Sequence, residues 1–179
     1  MGDFPRISLP RVTALPSAPA DGFELVYIAD DTNGVEWHLK YKSSETTYKW
    51  RVLAGPPLFA EVTTDESTSS TTYTALTTAG PSITLPLTGD YDIDHGALIW
   101  ATLANTGVSM SYDIGGTGAS DNDRAYYETQ GSGGDLTPVI SSRRKTGLTA
   151  VTLTSKYKTN AGTAHIQRRW IRARPVRVA

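Results

Sequence analysis

From Leu58 to the end of the chain, short runs rich in β-branched and aromatic residues recur with turn residues between them, and none repeats its apolar positions at the 3.6-residue period of a helix. The runs cover residues 59–63, 72–76, 82–87, 91–103, 108–114, 125–129, 137–142, 148–157 and 164–178. Strands of this number and spacing predict an all-β fold, an antiparallel β-sandwich of jelly-roll type about 120 residues long. No helix longer than a turn or two is expected.

Two further segments precede this sandwich. Residues 1–22 carry Pro5, Pro10, Pro16 and Pro19, which forbid a regular helix or central strand and predict an extended arm that needs a surface to lie on. Residues 23–57 read as a small three-stranded meander with strands at 23–30, 35–42 and 48–53. Asp31-Thr32-Asn33-Gly34 supplies the first turn with residues tolerant of positive φ. In the second strand Trp37, Leu39 and Tyr41 share one face, opposite Glu36, His38, Lys40 and Lys42; in the third, Trp50 alternates with Lys49 and Arg51. A sheet this small is marginal alone, so its aromatic face calls for cover by the arm, by the following domain or by another subunit. Trp37, Tyr41 and Trp50 are therefore expected at an interface. Gly55-Pro56-Pro57 interrupts any strand and marks the border, giving an arm (1–22), an anchoring meander (23–57) and a sandwich (58–179).

Charge is segregated along the chain. Residues 143–179 hold ten Lys or Arg and no Asp or Glu, whereas residues 1–142 hold seven basic residues against all 18 acidic ones, a net of −11 facing +10. Opposite potentials of this size fix register when the two parts meet, within one subunit or between copies. The overall net charge of −1 lacks the basic footprint of a nucleic-acid binder. No cysteine is present, which removes disulfides and thiolate chemistry. No apolar run reaches the 18 residues of a membrane span, and the first twenty residues lack the apolar centre of a signal peptide.

Chemical motifs are sparse. Asp90, Asp92 and Asp94 have the spacing that opens a calcium loop, but His95 stands where the loop needs Gly and Ala101 where it needs Glu, so a strand with three outward carboxylates is expected and no metal. His38, His95 and His165 fall in no metal-ligand spacing, and no Gly-x-Ser-x-Gly elbow accompanies them; neither a catalytic residue nor a cofactor is expected. The glycine-rich segments 115–120 and 131–134 read as loops rather than phosphate cradles. In the last run, Arg168, Trp170, Arg172 and Arg174 fall on one face and Arg169, Ile171 and Ala173 on the other. Arginine interleaved with tryptophan fits a partner or subunit interface, with Trp170 in a core as the competing reading.

The run Val12-Thr13-Ala14-Leu15-Pro16, then Pro19-Ala20-Asp21-Gly22, Thr32 through Tyr41, Tyr48-Lys49-Trp50 and Gly55-Pro56-Pro57-Leu58, resembles a module of tailed-bacteriophage structural proteins. The second domain is similar to jelly-roll domains that follow that module, chiefly at Tyr73-Thr74-Ala75-Leu76, Gly89-Asp90-Tyr91 and residues 143–148. The resemblance implies a non-enzymatic virion surface protein, commonly a homotrimer. Tail fibres usually need a long trimeric shaft, and 179 residues without heptads or fibrous repeats offer none. The expectation is therefore a trimeric capsid decoration, or minor capsid, protein. Residues 1–57 would anchor to the major capsid protein and residues 58–179 project outward. The alternative is a minor tail protein or short tail fibre whose jelly-roll loops bind a host surface glycan.

Overall fold

The computed structural model describes residues 8–130 and 135–179. The glycine-rich segment 131–134 and the first seven residues lie outside it. The described residues form thirteen strands: β1 (Arg11–Val12), β2 (Glu24–Asp30), β3 (Val35–Tyr41), β4 (Trp50–Ala54), β5 (Leu58–Val62), β6 (Glu66–Thr68), β7 (Ser82–Thr84), β8 (Gly89–Ala101), β9 (Gly107–Ile114), β10 (Ala125–Glu128), β11 (Thr137–Leu148), β12 (Thr152–Thr159) and β13 (Ala164–Val178). The one helical element among the described residues is a 3₁₀ turn at Asp121–Asp123. No helix there is long and apolar enough to cross a membrane.

The strands form two packed sheets. In the larger, β13 pairs with β8 and β8 with β11, while β6, β5 and β4 take successive stretches of the other edge of β13. The smaller sheet runs β10-β9-β12-β7. From β7 to β13 the chain alternates between the sheets except at the β9–β10 link, which gives the jelly-roll order, as the sequence pattern predicts. The interior holds one apolar cluster around Ile99, Met110, Val139 and Ile166 and a second around Tyr91, Ile93, Leu153 and Ile171.

The meander continues the larger sheet through β4, where Trp50 and Arg51 register with Val178 and Arg177 of β13. Its first turn forms as the sequence reads it. Asp30 Oδ1 accepts the backbone N–H groups of Thr32 and Asn33 at 3.0 and 3.2 Å, and Gly34 takes φ of 66°. The arm lies along β2: Pro10 accepts the N–H of Val26, Arg11 pairs with Glu36, and Val12 and Leu15 pack on the core.

Three expectations need correction. Trp37, Tyr41 and Trp50 do not present a face to a partner. They are 0, 6 and 4% exposed and belong to the cluster of Leu85, Tyr91, Ile93 and Val178, because the meander folds its aromatic face onto its own chain. Gly55 fixes this packing: at φ of 132°, a side chain there would meet Glu36 O at 2.4 Å and the Trp37 ring at 2.8 Å, and Trp37 Nε1 donates to Pro56 O at 2.9 Å. Second, residues 72–76 form a single bridge, Thr74 to Tyr157, rather than a strand. The edge of β12 is shared by three segments in turn, with Ser70, Thr74 and Pro81 bonding Thr159, Tyr157 and Ser155, so none runs on. Third, β11 extends to Leu148, six residues beyond the predicted end, because its basic run finds acidic partners, Asp92 on the neighbouring strand β8 for Arg144 and Asp123 of the 3₁₀ turn for Lys145.

Candidate functional site

Even-numbered residues of β8, those of β11 as far as Arg144, and the facing residues of β5, β6 and β13 compose the outer face of the larger sheet, which the register resolves into rows. Ser67, His165 and Trp100 form the top row; Gln167, Leu98 and Pro138 the next; then Glu61, Trp170, Gly96 and Ile140; then Phe59, Arg172, Asp94 and Ser142; then Arg174, Asp92 and Arg144. Between the second and third rows β13 bulges at Arg168, whose φ of 48° shifts the register and turns Arg169 inward. Below the bulge the alternation predicted from sequence holds. Arg168, Trp170, Arg172 and Arg174 all lie on the outer side, and Arg169, Ile171 and Ala173 are buried.

The lower rows are an ion-pair ladder. Arg144 binds Asp92 through Nε and Nη2 at 2.7 and 2.8 Å. Arg172 Nη2 lies 2.6 Å from Asp94, which also accepts from the Ser142 hydroxyl. Arg177 bridges Asp90 at 2.6 Å and Glu45 at 3.0 Å, and Glu45 accepts in turn from Arg51. Partial burial works against ionisation of Asp94, yet the bonds from Ser142 and Arg172 hold its carboxyl below the usual range. The three aspartates singled out by spacing thus each engage an arginine, with Tyr91 and Ile93 turned inward between them. Seven of the ten basic residues in 143–179 pair with acidic residues of 1–142, so the segregated charge closes largely within one subunit.

The upper rows differ. Trp100 and His165 stack with ring centres 3.8 Å apart and planes 7° from parallel. The indole of Trp170 leans across β8 over Gly96, where a side chain would come within 3.0 Å of its Cζ2 and 2.4 Å of Val139 O. A shallow depression of about 260 Å³ adjoins it, lined by Glu61, Leu98, Pro138, Ile140, Arg168 and Trp170. Ile140 is 68% exposed. Glu61, Gln167 and Arg168 form no side-chain hydrogen bond or ion pair among the described residues. Trp170 is accordingly part of a half-exposed surface rather than of the core. Trp100, Gly96 and Glu61 were not singled out by motif, although the period-2 pattern of 91–103 already puts Gly96, Leu98 and Trp100 on the side of the aspartates.

Between the two core clusters lies a polar layer. Arg169 is fully buried, with Nη1 2.7 Å from Glu66 and Nη2 3.4 Å from Thr78 O, over the ring of Tyr157. His95 is 1% exposed and its Nε2 lies 2.7 Å from the Asp123 carbonyl. A carbonyl only accepts, so Nε2 carries the proton and Nδ1 is bare. Burial lowers the pKa of this imidazole and keeps it neutral. Among the described residues no histidine bonds a serine hydroxyl, and no cluster of three metal-ligating side chains forms.

No protein-family model matches the chain, and no match was found among curated proteins. Solved structures similar to it include the infectious bursal disease virus VP2 subviral particle (8% identity, 78% of this chain and 42% of that chain, TM-score 0.40). They also include the Gx strain of the same virus (10% identity, 78% and 42%, TM-score 0.41). A third is a carbohydrate binding module from Cellvibrio mixtus lichenase 5A in complex with cellotriose (16% identity, 80% and 88%, TM-score 0.30). The chain spans about two-fifths of the length of the viral chains.

Proposed function

We propose that the chain is a non-enzymatic virion surface protein, a trimeric decoration of a bacteriophage capsid that binds the head shell through its arm and meander. The observation that carries this reading is the sheet extension β1–β4. It joins the jelly roll at one end through β4, which pairs with β13 over only two residues. Beyond that pairing Leu53 is 54% exposed, and a cleft of about 520 Å³ opens beside it, lined by Arg51, Leu53, Asp90, Arg144, Val176 and Arg177. An apolar side chain rimmed by arginines and an open strand edge suit a protein lattice, where many weak contacts gain strength by repetition. The resemblance of residues 12–58 to the phage module supports the same assignment.

The test is immunogold labelling of intact virions with an antibody against residues 58–179. Label spread over the head is expected, with a native mass of three chains. Label confined to the tail would instead make the chain a minor tail protein or short tail fibre.

A further inference from the structure

The two halves of the outer sheet face differ in what their polar groups are doing. In the lower rows every carboxylate is bonded to an arginine. In the upper rows the rings of Trp100 and Trp170 lie among Leu98, Pro138 and Ile140, and the polar groups beside them have no partner among the described residues. These are the Gln167 amide, the Glu61 carboxylate and the Arg168 guanidinium. His165 braces one side of Trp100, and Gly96 provides the flat bed for Trp170. The two indoles are set four residues apart along β8, about 13 Å.

Size and charge narrow the ligand. Four strands at about 4.8 Å and this length of strand give about 250 Å², well under the roughly 800 Å² each partner brings to a standard protein–protein interface. The spare carboxylate and guanidinium cancel, so the patch favours neither an anion nor a cation. A pyranose ring matches both components: its C–H face packs on an indole, and its hydroxyls both donate and accept. An extended sugar chain also reaches two separated platforms at once.

We propose that this upper face is a binding site for a neutral oligosaccharide, with Trp170 and Trp100 as stacking platforms and Glu61, Gln167 and Arg168 as hydrogen-bonding partners. The inference does not depend on where in a particle the chain sits, and the jelly-roll loops play no part in it.

The test is calorimetric titration of the full chain with maltohexaose, cellohexaose and the hexamer of N-acetylglucosamine, beside a heparin hexasaccharide as the charged comparator. At least one neutral probe is expected to bind, and Trp170→Ala or Trp100→Ala to weaken it at least tenfold. Gln167→Ala, which removes no ring, should weaken it by a smaller factor in a protein whose melting temperature is unchanged. Arg144→Ala, in the lower rows, should bind as the parent does. Failure of all three neutral probes, equal or tighter binding of heparin, or affinity indifferent to Trp170, Trp100 and Gln167 in folded variants would each overturn the assignment.

Discussion

Removing the Glu66 carboxylate should damage the fold far more than removing the whole buried pair it forms with Arg169. Arg169 has no exposed surface, and its guanidinium is held by Glu66 Oε2 at 2.7 Å and the Thr78 carbonyl at 3.4 Å. Glu66 also accepts the Thr78 N–H at 2.8 Å, so one carboxylate ties β6 and the 78 loop to β13 just below its bulge. Burial opposes ionisation of Glu66, but the bonds from Arg169 and Thr78 outweigh it and hold the carboxyl below its ordinary range. In Glu66→Ala the guanidinium stays between the sheets with its charge uncompensated, a cost of about 3–5 kcal/mol. In Arg169→Met with Glu66→Leu neither charge remains, and apolar packing should bring stability back to within about 1 kcal/mol of the parent. Urea denaturation reads both. With a slope of about 2 kcal/mol per molar, the midpoint of Glu66→Ala should fall by about 1.5–2.5 M while that of the double variant barely moves. A loss below about 1 kcal/mol in Glu66→Ala, or a double variant as unstable as the single one, would refute the reasoning.

Two more outcomes follow from the interior. Because burial depresses the His95 pKa, the unfolded chain takes up a proton near pH 6.5 that the folded chain refuses, so stability falls as pH drops below that value, by up to about 1.4 kcal/mol per unit. Asp94 and Glu66, held low, lose their contribution only below the ordinary carboxylate range, so urea midpoints between pH 7 and 5 should decline in the parent and flatten in His95→Gln; parallel curves would rule His95 out. Trp37→Ala should cost about 3–5 kcal/mol in thermal or urea unfolding, since a fully buried ring leaves a cavity; a change of oligomeric mass at unchanged stability would return Trp37 to an interface.

The strands were legible where alternation was clean and both faces had different solvents. In β3 the pattern Trp37, Leu39, Tyr41 against Glu36, His38, Lys40 fixes the face without reference to anything distant. What that face packs against is a tertiary matter: arm, domain and partner are all candidates and Trp37, Tyr41 and Trp50 are expected at an interface, whereas the chain's own Tyr91, Ile93 and Val178 take the place. The end of β11 was misread for a related reason. Arg143-Arg144-Lys145 carries no apolar alternation of its own, and becomes strand with Asp92 opposite Arg144 on β8 and Asp123 of the 3₁₀ turn bonded to Lys145. A bulge such as the one at Arg168 leaves little local signature, since neither glycine nor proline marks it. Its consequence, a buried Arg169 beside an exposed Arg168, depends on Glu66 lying 103 residues away.

The segregated charge and the candidate site are two outcomes of one arrangement. β8 and β13 run side by side, and over their lower halves the acidic alternate positions of one meet the basic alternate positions of the other, so each of the three aspartates there is bonded to an arginine. Above Asp94 the aspartate series on β8 gives way to Gly96, Leu98 and Trp100, and on β13 the bulge breaks the arginine alternation at the same level. With the carboxylates gone, Arg168 has no partner among the described residues of its sheet, and with Gly96 in place of a side chain Trp170 can lie down across the strand. The ladder thus fixes the register of the two central strands, and the place where it stops is where the sheet presents rings and uncommitted hydrogen-bonding groups together.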